Sequence, residues 1–177
     1  MTRKVFYIII TLFLISSCAT TSSQTREAGK NSFRDVPPEL EGVNWIKSPN
    51  DVISNPIKDE PLIWVGLIKD VTVSNKGNEI EIEWLCEHLA FTEPGPAAIT
   101  VRPIKVHKGS GHFALSIVSN EMPMERALKF KQQHTSSPHY VVAGGTFYSI
   151  IERNNRKVPF LYTLLFGMGP DVAKIIE

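Results

Sequence analysis

The segment that most constrains the fold is residues 79–84, in which acidic and apolar residues alternate strictly. Successive side chains of a β-strand point to opposite faces, so this alternation predicts a strand with one apolar and one polar face. The preceding residues 62–73 are rich in β-branched and aromatic side chains, and the polar residues 75–78 separate the two runs. Together the two runs predict a β-hairpin.

The remaining patterned segments are a third strand, a helix, a fourth strand and a fifth strand, at residues 112–119, 120–134, 140–151 and 159–166. This order is that of an OB-like fold, a mainly β, five-stranded Greek-key β-barrel with one helix between strands three and four. Gly144 and Gly145 predict the bulge or bend that a coiled sheet needs. An open antiparallel sandwich uses the same signals and is the alternative.

The connections carry weaker patterns. Residues 33–61 contain five prolines, which exclude long helices and predict a chain draped in turns over the domain. A short strand is expected at residues 99–106, and single helical turns are expected at residues 38–41 and 171–176.

The first 17 residues have the order of an export signal. Arg3 and Lys4 precede an apolar stretch of 11 residues, shorter than the roughly 20 that span a bilayer as a helix. Residues 15–18, Ile-Ser-Ser-Cys, resemble the bacterial lipobox, which implies cleavage before Cys18 and acylation of its thiol. Ala19 is not the aspartate that retains enterobacterial lipoproteins in the inner membrane, so we expect the outer membrane. An ordinary secretory signal with an incidental Cys18 is the alternative.

Three segments are therefore expected: a lipoprotein signal peptide at residues 1–17, a lipidated flexible tether at 18–35, and a single β-rich OB-like domain at 36–177. The tether has the polar composition of a segment that does not collapse. Cys18 and Cys86 are the two cysteines of the chain, so lipidation of Cys18 leaves no internal disulfide. The domain is long enough to bury a core without one.

The net charge of the chain and the distribution of its basic residues indicate which classes of partner it can bind. Removal of the signal takes two of the 19 basic residues and none of the 18 acidic residues, which leaves a net charge of −1. A protein that neutralises several phosphates needs a basic face, and the basic residues cluster only in short pieces such as 153–157. We therefore predict no nucleic-acid partner. The predicted partners are the membrane, through the N-terminal lipid, and envelope proteins or cell-wall or lipopolysaccharide components.

The histidines allow a metal hypothesis. His88, His107 and His112 would converge if the third strand paired with the second, but their spacing matches no zinc motif. The sequence also lacks a serine elbow, a P-loop and a dinucleotide fingerprint. We predict no catalytic residue, no metal and no cofactor. A periplasmic metal-assisted hydrolase that uses clustered histidines is the alternative.

Two tryptophans are candidates for a ligand face. Trp64 and Trp84 fall on the first two strands, where OB-like barrels often bind, so they could stack on sugar or aromatic groups. Packing in the core is the favoured reading of both. Cys86 is expected to be a small buried residue rather than a nucleophile. The acidic residues of the second strand are expected to form a solvated face: Glu79, Glu81 and Glu83.

The chain resembles the Slp family of outer-membrane lipoproteins over about residues 36–166. Besides the lipobox, the resemblance is carried by Trp64-Val65-Gly66-Leu67-Ile68, residues 80–85, Gly111-His112-Phe113 and Val141-Val142-Ala143-Gly144-Gly145. The chain departs from the family at His88-Leu89, where the family usually has Pro-Leu. Membership would imply an outer-membrane location and an OB-like barrel, and it brings no established reaction.

These patterns lead to one functional expectation. The chain is expected to be a lipid-anchored outer-membrane lipoprotein that faces the periplasm and acts as a non-enzymatic binding or structural module. The sequence does not indicate its ligand.

Overall fold

The computed structural model describes residues 42–95, 98–99 and 102–176. These residues belong to one compact unit, residues 36–177. Cys18, the predicted signal peptide and tether, and the helical turn expected at residues 38–41 lie outside the described residues. Within the described ranges, no helix combines the length and apolarity that a membrane span requires.

Two helices and six strands are named here in chain order: α1 (Pro49–Ser54), β1 (Pro61–Lys76), β2 (Glu79–Phe91), β3 (Ile104–Ser119), α2 (Met124–Ser136), β4 (Tyr140–Arg153), β5 (Arg156–Gly169) and β6 (Ala173–Ile175). The sheet has the strand order β2-β1-β4-β5-β3-β6, and β2 also pairs with β3, so that five strands close into a ring. With α2 between β3 and β4, the ring confirms the predicted OB-like fold and not the sandwich.

The ring is antiparallel except where β3 meets β5. That pairing is parallel and covers only Ala114 with Phe160 and Leu115 with Leu161. By contrast, β4 and β5 pair along most of their length. The short β3–β5 pairing is called the seam below.

The alternation in β2 places its apolar residues inside the ring. Ile80, Ile82 and Trp84 are buried, and the glutamates between them face outward. The interior core also contains Trp64 and Phe113, whose ring centroids are 5.1 Å apart. Burial of such large side chains is the main favourable contribution to folding.

Two glycines fit the curvature of the ring. The register of β4 and β5 shifts between Gly144 and Gly145, and a Cβ atom on Gly145 would collide with the carbonyl oxygen of Tyr162. This confirms the predicted bulge. Gly66 lies inside the ring, where an added Cβ would come within 2.8 Å of Cys86 and Phe113.

The connections differ from the sequence expectations. β3 begins at Ile104 and runs without a break through the glycine-containing residues 108–111 into the third strand, which was expected to begin only at residue 112. The tail forms the short strand β6, parallel to the start of β3, instead of a helical turn. α1 was not expected, although its capping box can be read in the sequence: Ser48 and Asp51 each accept a hydrogen bond from the other's backbone N–H.

Candidate functional site

A cleft opens on the outside of the ring at the seam. His112 and Val158 line it, and each precedes by two residues a residue of the β3–β5 pairing. Leu85 of β2 contributes the second apolar side chain, and the cavity volume is about 220 Å³. The cleft therefore lies where the two strands of the ring share the fewest hydrogen bonds. It is called the seam cleft below.

The turn between β4 and β5 forms one wall of the seam cleft. Arg153 and Arg156 are paired at the end of the hairpin, and Asn154 and Asn155 are the two residues between them. Both asparagines have positive φ angles, 51° and 60°, which a two-residue hairpin turn of this kind requires and asparagine tolerates. The turn thereby holds both arginines beside the outer face of β2 and β3.

Two ion pairs tie the cationic residues of the seam cleft to β2. Arg153 donates two hydrogen bonds to the Glu83 carboxylate, at 2.5 and 2.7 Å. Lys69, at the register shift of β1, lies 3.0 Å from Glu87. The hydrogen bond from Lys69 lowers the pKa of Glu87, although burial opposes it. The acidic face of β2 is thus engaged with cations, and the Glu83 side chain is only 12% exposed.

His112 is half-buried in the wall of the seam cleft. Burial disfavours the charged imidazole and lowers its pKa, and the positive charge of Arg156 lowers it further. Glu87, which is paired with His112 across β2 and β3, opposes this shift. The lowered pKa therefore favours the neutral form of the His112 imidazole.

The structure does not bring all three predicted histidines together, although the exposed His107 is close enough to His88 to lower its pKa. His88 is 5% exposed and lies inside the ring, with its imidazole 6.2 Å from the Trp64 ring. Its Nδ1 accepts a hydrogen bond from the Ser110 N–H at 3.2 Å, and burial lowers its pKa to about 4. His112 lies on the outer face. Among the described residues, no group of three or more histidine, cysteine or acidic side chains could hold a metal ion.

Both tryptophans lie in the core rather than on a ligand face. Trp64 is 0% exposed and Trp84 is 1% exposed, because inward positions of the first two strands of a closed ring face its interior. The Trp64 indole N–H donates to the Lys47 carbonyl at 2.7 Å. Cys86 is also fully buried, as expected, and burial raises the pKa of its thiol.

The cations of the seam cleft were missed as a site by sequence reasoning. In the sequence, Arg153 and Arg156 belong only to a short basic cluster, and the structure pairs them at the end of the β4–β5 hairpin. Lys69 is far from them in the chain, and only the closed ring brings β1 near the β4–β5 turn. No spacing rule connects the three residues.

Comparison with known proteins finds a similar solved structure. No family model matches the chain, and no curated protein matches it, so the resemblance to Slp lipoproteins stays a prediction. The crystal structure of a small single-stranded DNA-binding protein from Streptomyces coelicolor is similar, with a TM-score of 0.38 and 10% sequence identity. The match covers 64% of this chain and 96% of that chain.

The predicted partners were the membrane and envelope components and not nucleic acid, and this prediction needs correction because its exclusion of nucleic acid does not stand. The exclusion of nucleic acid depended on net charge and on the shortness of basic runs in the sequence. Folding gathers Lys69, Arg153 and Arg156 around one cleft, so run length underestimates the local positive charge. The exclusion is withdrawn. A likeness at this TM-score assigns no partner to the chain.

Proposed function

We propose that the protein is a lipid-anchored, non-enzymatic binding module of the bacterial cell envelope, and that the seam cleft is its ligand site. The observation that carries the proposal is the position of the cleft. It lies on the outer face of β2 and β3, beside the β4–β5 turn, which is the face that OB folds use to bind ligands.

The sequence supports the anchor. The lipobox at residues 15–18 makes Cys18 the lipidated residue, and Ala19 favours the outer membrane. Two or more acyl chains give stable attachment to a bilayer. A polar tether over residues 18–35 would set the domain roughly 20 Å from the lipid surface, at about 5–6 Å times the square root of its length. The binding face would then be open to the periplasm.

The chemistry of the seam cleft supports binding rather than catalysis. Nucleophilic catalysis needs an activated hydroxyl, thiol or amine within reach of a base. Among the described lining residues there is no hydroxyl or thiol, and the Lys69 amine is paired with Glu87. The thiol of Cys86 is inside the ring, where burial keeps it protonated.

The anchor is tested by intact-mass spectrometry of the membrane-extracted protein, with separation of inner from outer membranes. We expect a mass that begins at Cys18 and includes acyl chains, in the outer-membrane fraction. The Cys18→Ser variant should lose the acyl mass and the membrane attachment. An unlipidated wild-type chain in the soluble periplasm would contradict the proposal.

The binding role is tested by photo-crosslinking in intact cells. A photoreactive residue at Asn154, in the wall of the seam cleft, should capture a ligand or partner. The same residue at Lys129, on the exposed side of α2, is the matched control. Equal capture at both positions, or none at Asn154, would contradict the assignment of the site.

A further inference from the structure

We propose that the seam cleft binds a phosphate group of its ligand, an inference that rests on the proposed function. The cationic groups of the cleft come from three elements that meet only in the closed ring: Lys69 from β1, Arg153 from β4 and Arg156 from β5. Guanidinium groups recognise oxyanions through two parallel N–H donors.

Charge at the cleft is unbalanced. Glu83 neutralises Arg153 and Glu87 neutralises Lys69. Among the described residues, no acid forms an ion pair with Arg156. The two acids therefore hold Arg153 and Lys69 in place, while the charge of Arg156 is available to an anion. A pre-positioned cation loses less side-chain freedom on binding than a mobile one.

The shape of the cleft favours a phosphate over a carboxylate. The two oxygens of a carboxylate lie in one plane, whereas the cations that line this cleft come from separate elements, β1 and the β4–β5 turn. A tetrahedral oxyanion can accept from both elements. The volume of about 220 Å³ is smaller than the roughly 300–1,000 Å³ of pockets that enclose a drug-sized ligand. The cleft therefore suits one group of a larger ligand.

An aromatic row continues from the cleft along β5. Val158 lines the cleft and is only 1% exposed, and Phe160 and Tyr162 follow it at alternate positions of β5, so strand alternation places the three on the same side. Tyr162 is 62% exposed, and Tyr148 of β4, also 62% exposed, lies 6.4 Å from the Phe160 ring. Exposed aromatic rings stack on planar or sugar rings. The ligand is accordingly a phosphate ester whose attached ring lies along this row.

The pKa of His112 reports whether a phosphate is bound in the seam cleft. The charges that act on it are Arg156 from β5, Glu87 from β2 and Lys69 from β1. A bound phosphate would offset the two cations and raise the pKa of His112. Binding and protonation would then reinforce each other, so affinity should increase as the pH falls through the titration of His112.

The test is a titration of the full chain in detergent micelles, followed by NMR of the His112 imidazole. Three probes separate the sources of phosphate: inorganic phosphate, glucose 6-phosphate, and a short oligothymidylate. Arg156→Gln removes the unpaired cation. Lys157→Gln is the matched control, because Lys157 is the exposed neighbour that does not line the cleft.

We expect Arg156→Gln to weaken the best-binding probe by about tenfold or more, which corresponds to about 1.4 kcal/mol, and Lys157→Gln to change it by less than about twofold. The pKa of His112 should rise with each probe that binds. Strong binding of oligothymidylate alone would identify nucleic acid as the source; binding of glucose 6-phosphate would identify a sugar phosphate. No response of His112 to any probe, or equal losses in both variants, would overturn the inference.

Failure here is distinguishable from failure of the proposed function. Crosslinking at Asn154 to a ligand without phosphate would overturn the phosphate site and leave the binding module intact. An unlipidated chain that still binds phosphate at Arg156 would overturn the anchor and leave the phosphate site intact.

Discussion

The interior of the ring and the seam cleft are built from the same strands and have opposite chemistry. On β2 and β3, Trp84 and Phe113 face inward and are fully buried, whereas Glu87 and His112 are partly exposed outside. Side chains of a strand alternate between faces, so one pair of strands can supply a dry core and a charged outer surface. The comparison indicates that the interior determines stability, and we propose that the cleft determines recognition.

His88 of β2 and His112 of β3 show the same contrast within one pair of strands. His88 accepts a backbone hydrogen bond inside the ring, and burial lowers its pKa to about 4. His112 stands beside Arg156 and Glu87, and its pKa is lowered by burial and by the arginine. The first histidine is part of the core, and the second lines the proposed ligand site.

The largest expected effect is in the interior. Trp64→Ala should lower the free energy of unfolding by about 3–5 kcal/mol, because it leaves a cavity and removes the hydrogen bond to Lys47. Tyr162→Ala, at an exposed outer position, should change it by less than about 0.5 kcal/mol. Urea denaturation followed by circular dichroism measures both. Equal losses would remove the distinction between the two faces.

The pH dependence of stability separates the two histidines. The pKa of His88 is about 4 in the folded state and about 6.5 in an exposed chain, so the unfolded state binds the proton more tightly. The stabilisation is present above about pH 6.5 and is lost as the pH falls toward 4, by about 3 kcal/mol. His88→Asn, whose amide oxygen can accept the Ser110 N–H bond, should remove this part of the pH dependence.

The matched variant for that experiment is His112→Asn, which should keep most of the wild-type slope between about pH 6.5 and 4. Denaturant unfolding at several pH values gives the three curves. Parallel curves for wild type and His88→Asn would show that His88 is not the group that titrates on unfolding.

Gly66 is the position at which the close packing of the interior can be tested. Gly66→Ala should cost about 1–3 kcal/mol, because the added methyl group meets Phe113 and Cys86. Phe113→Leu should relieve part of this cost, so the double variant should be more stable than the sum of the two single changes predicts. A double-mutant cycle in urea measures the coupling. Strict additivity would mean that the methyl group is accommodated elsewhere.

The smallest expected effect on stability is in the seam cleft. Arg153→Gln removes the ion pair with Glu83, and because Arg153 is 43% exposed we expect a loss below about 1 kcal/mol. The same variant should weaken ligand binding, measured by the phosphate titration. A loss comparable to that of Trp64→Ala would show that the β4–β5 turn is part of the stabilising core.

Much of the fold could be predicted from the sequence because the strand patterns are local. The alternation at residues 79–84 and the glycine pair Gly144-Gly145 each specify geometry through their own side chains. β6 could not be predicted from the sequence, because its three residues acquire strand geometry only by pairing with β3. The seam cleft was also hidden, since Lys69 joins Arg153 and Arg156 only through ring closure. Trp64 and Trp84 were correctly placed on the first two strands, and the favoured core reading agrees with their burial.

The shortness of the seam has a consequence for motion. Local opening of a protein begins where the fewest backbone hydrogen bonds must break, and β3 and β5 share only two residue pairs. The ring should therefore open most easily between β3 and β5, and the amides that bond across this pairing should exchange with deuterium earlier than those of the β4–β5 hairpin. A ligand that contacts both strands would slow that exchange. Ligand binding would then make local opening of the whole ring less frequent, without changing its average structure.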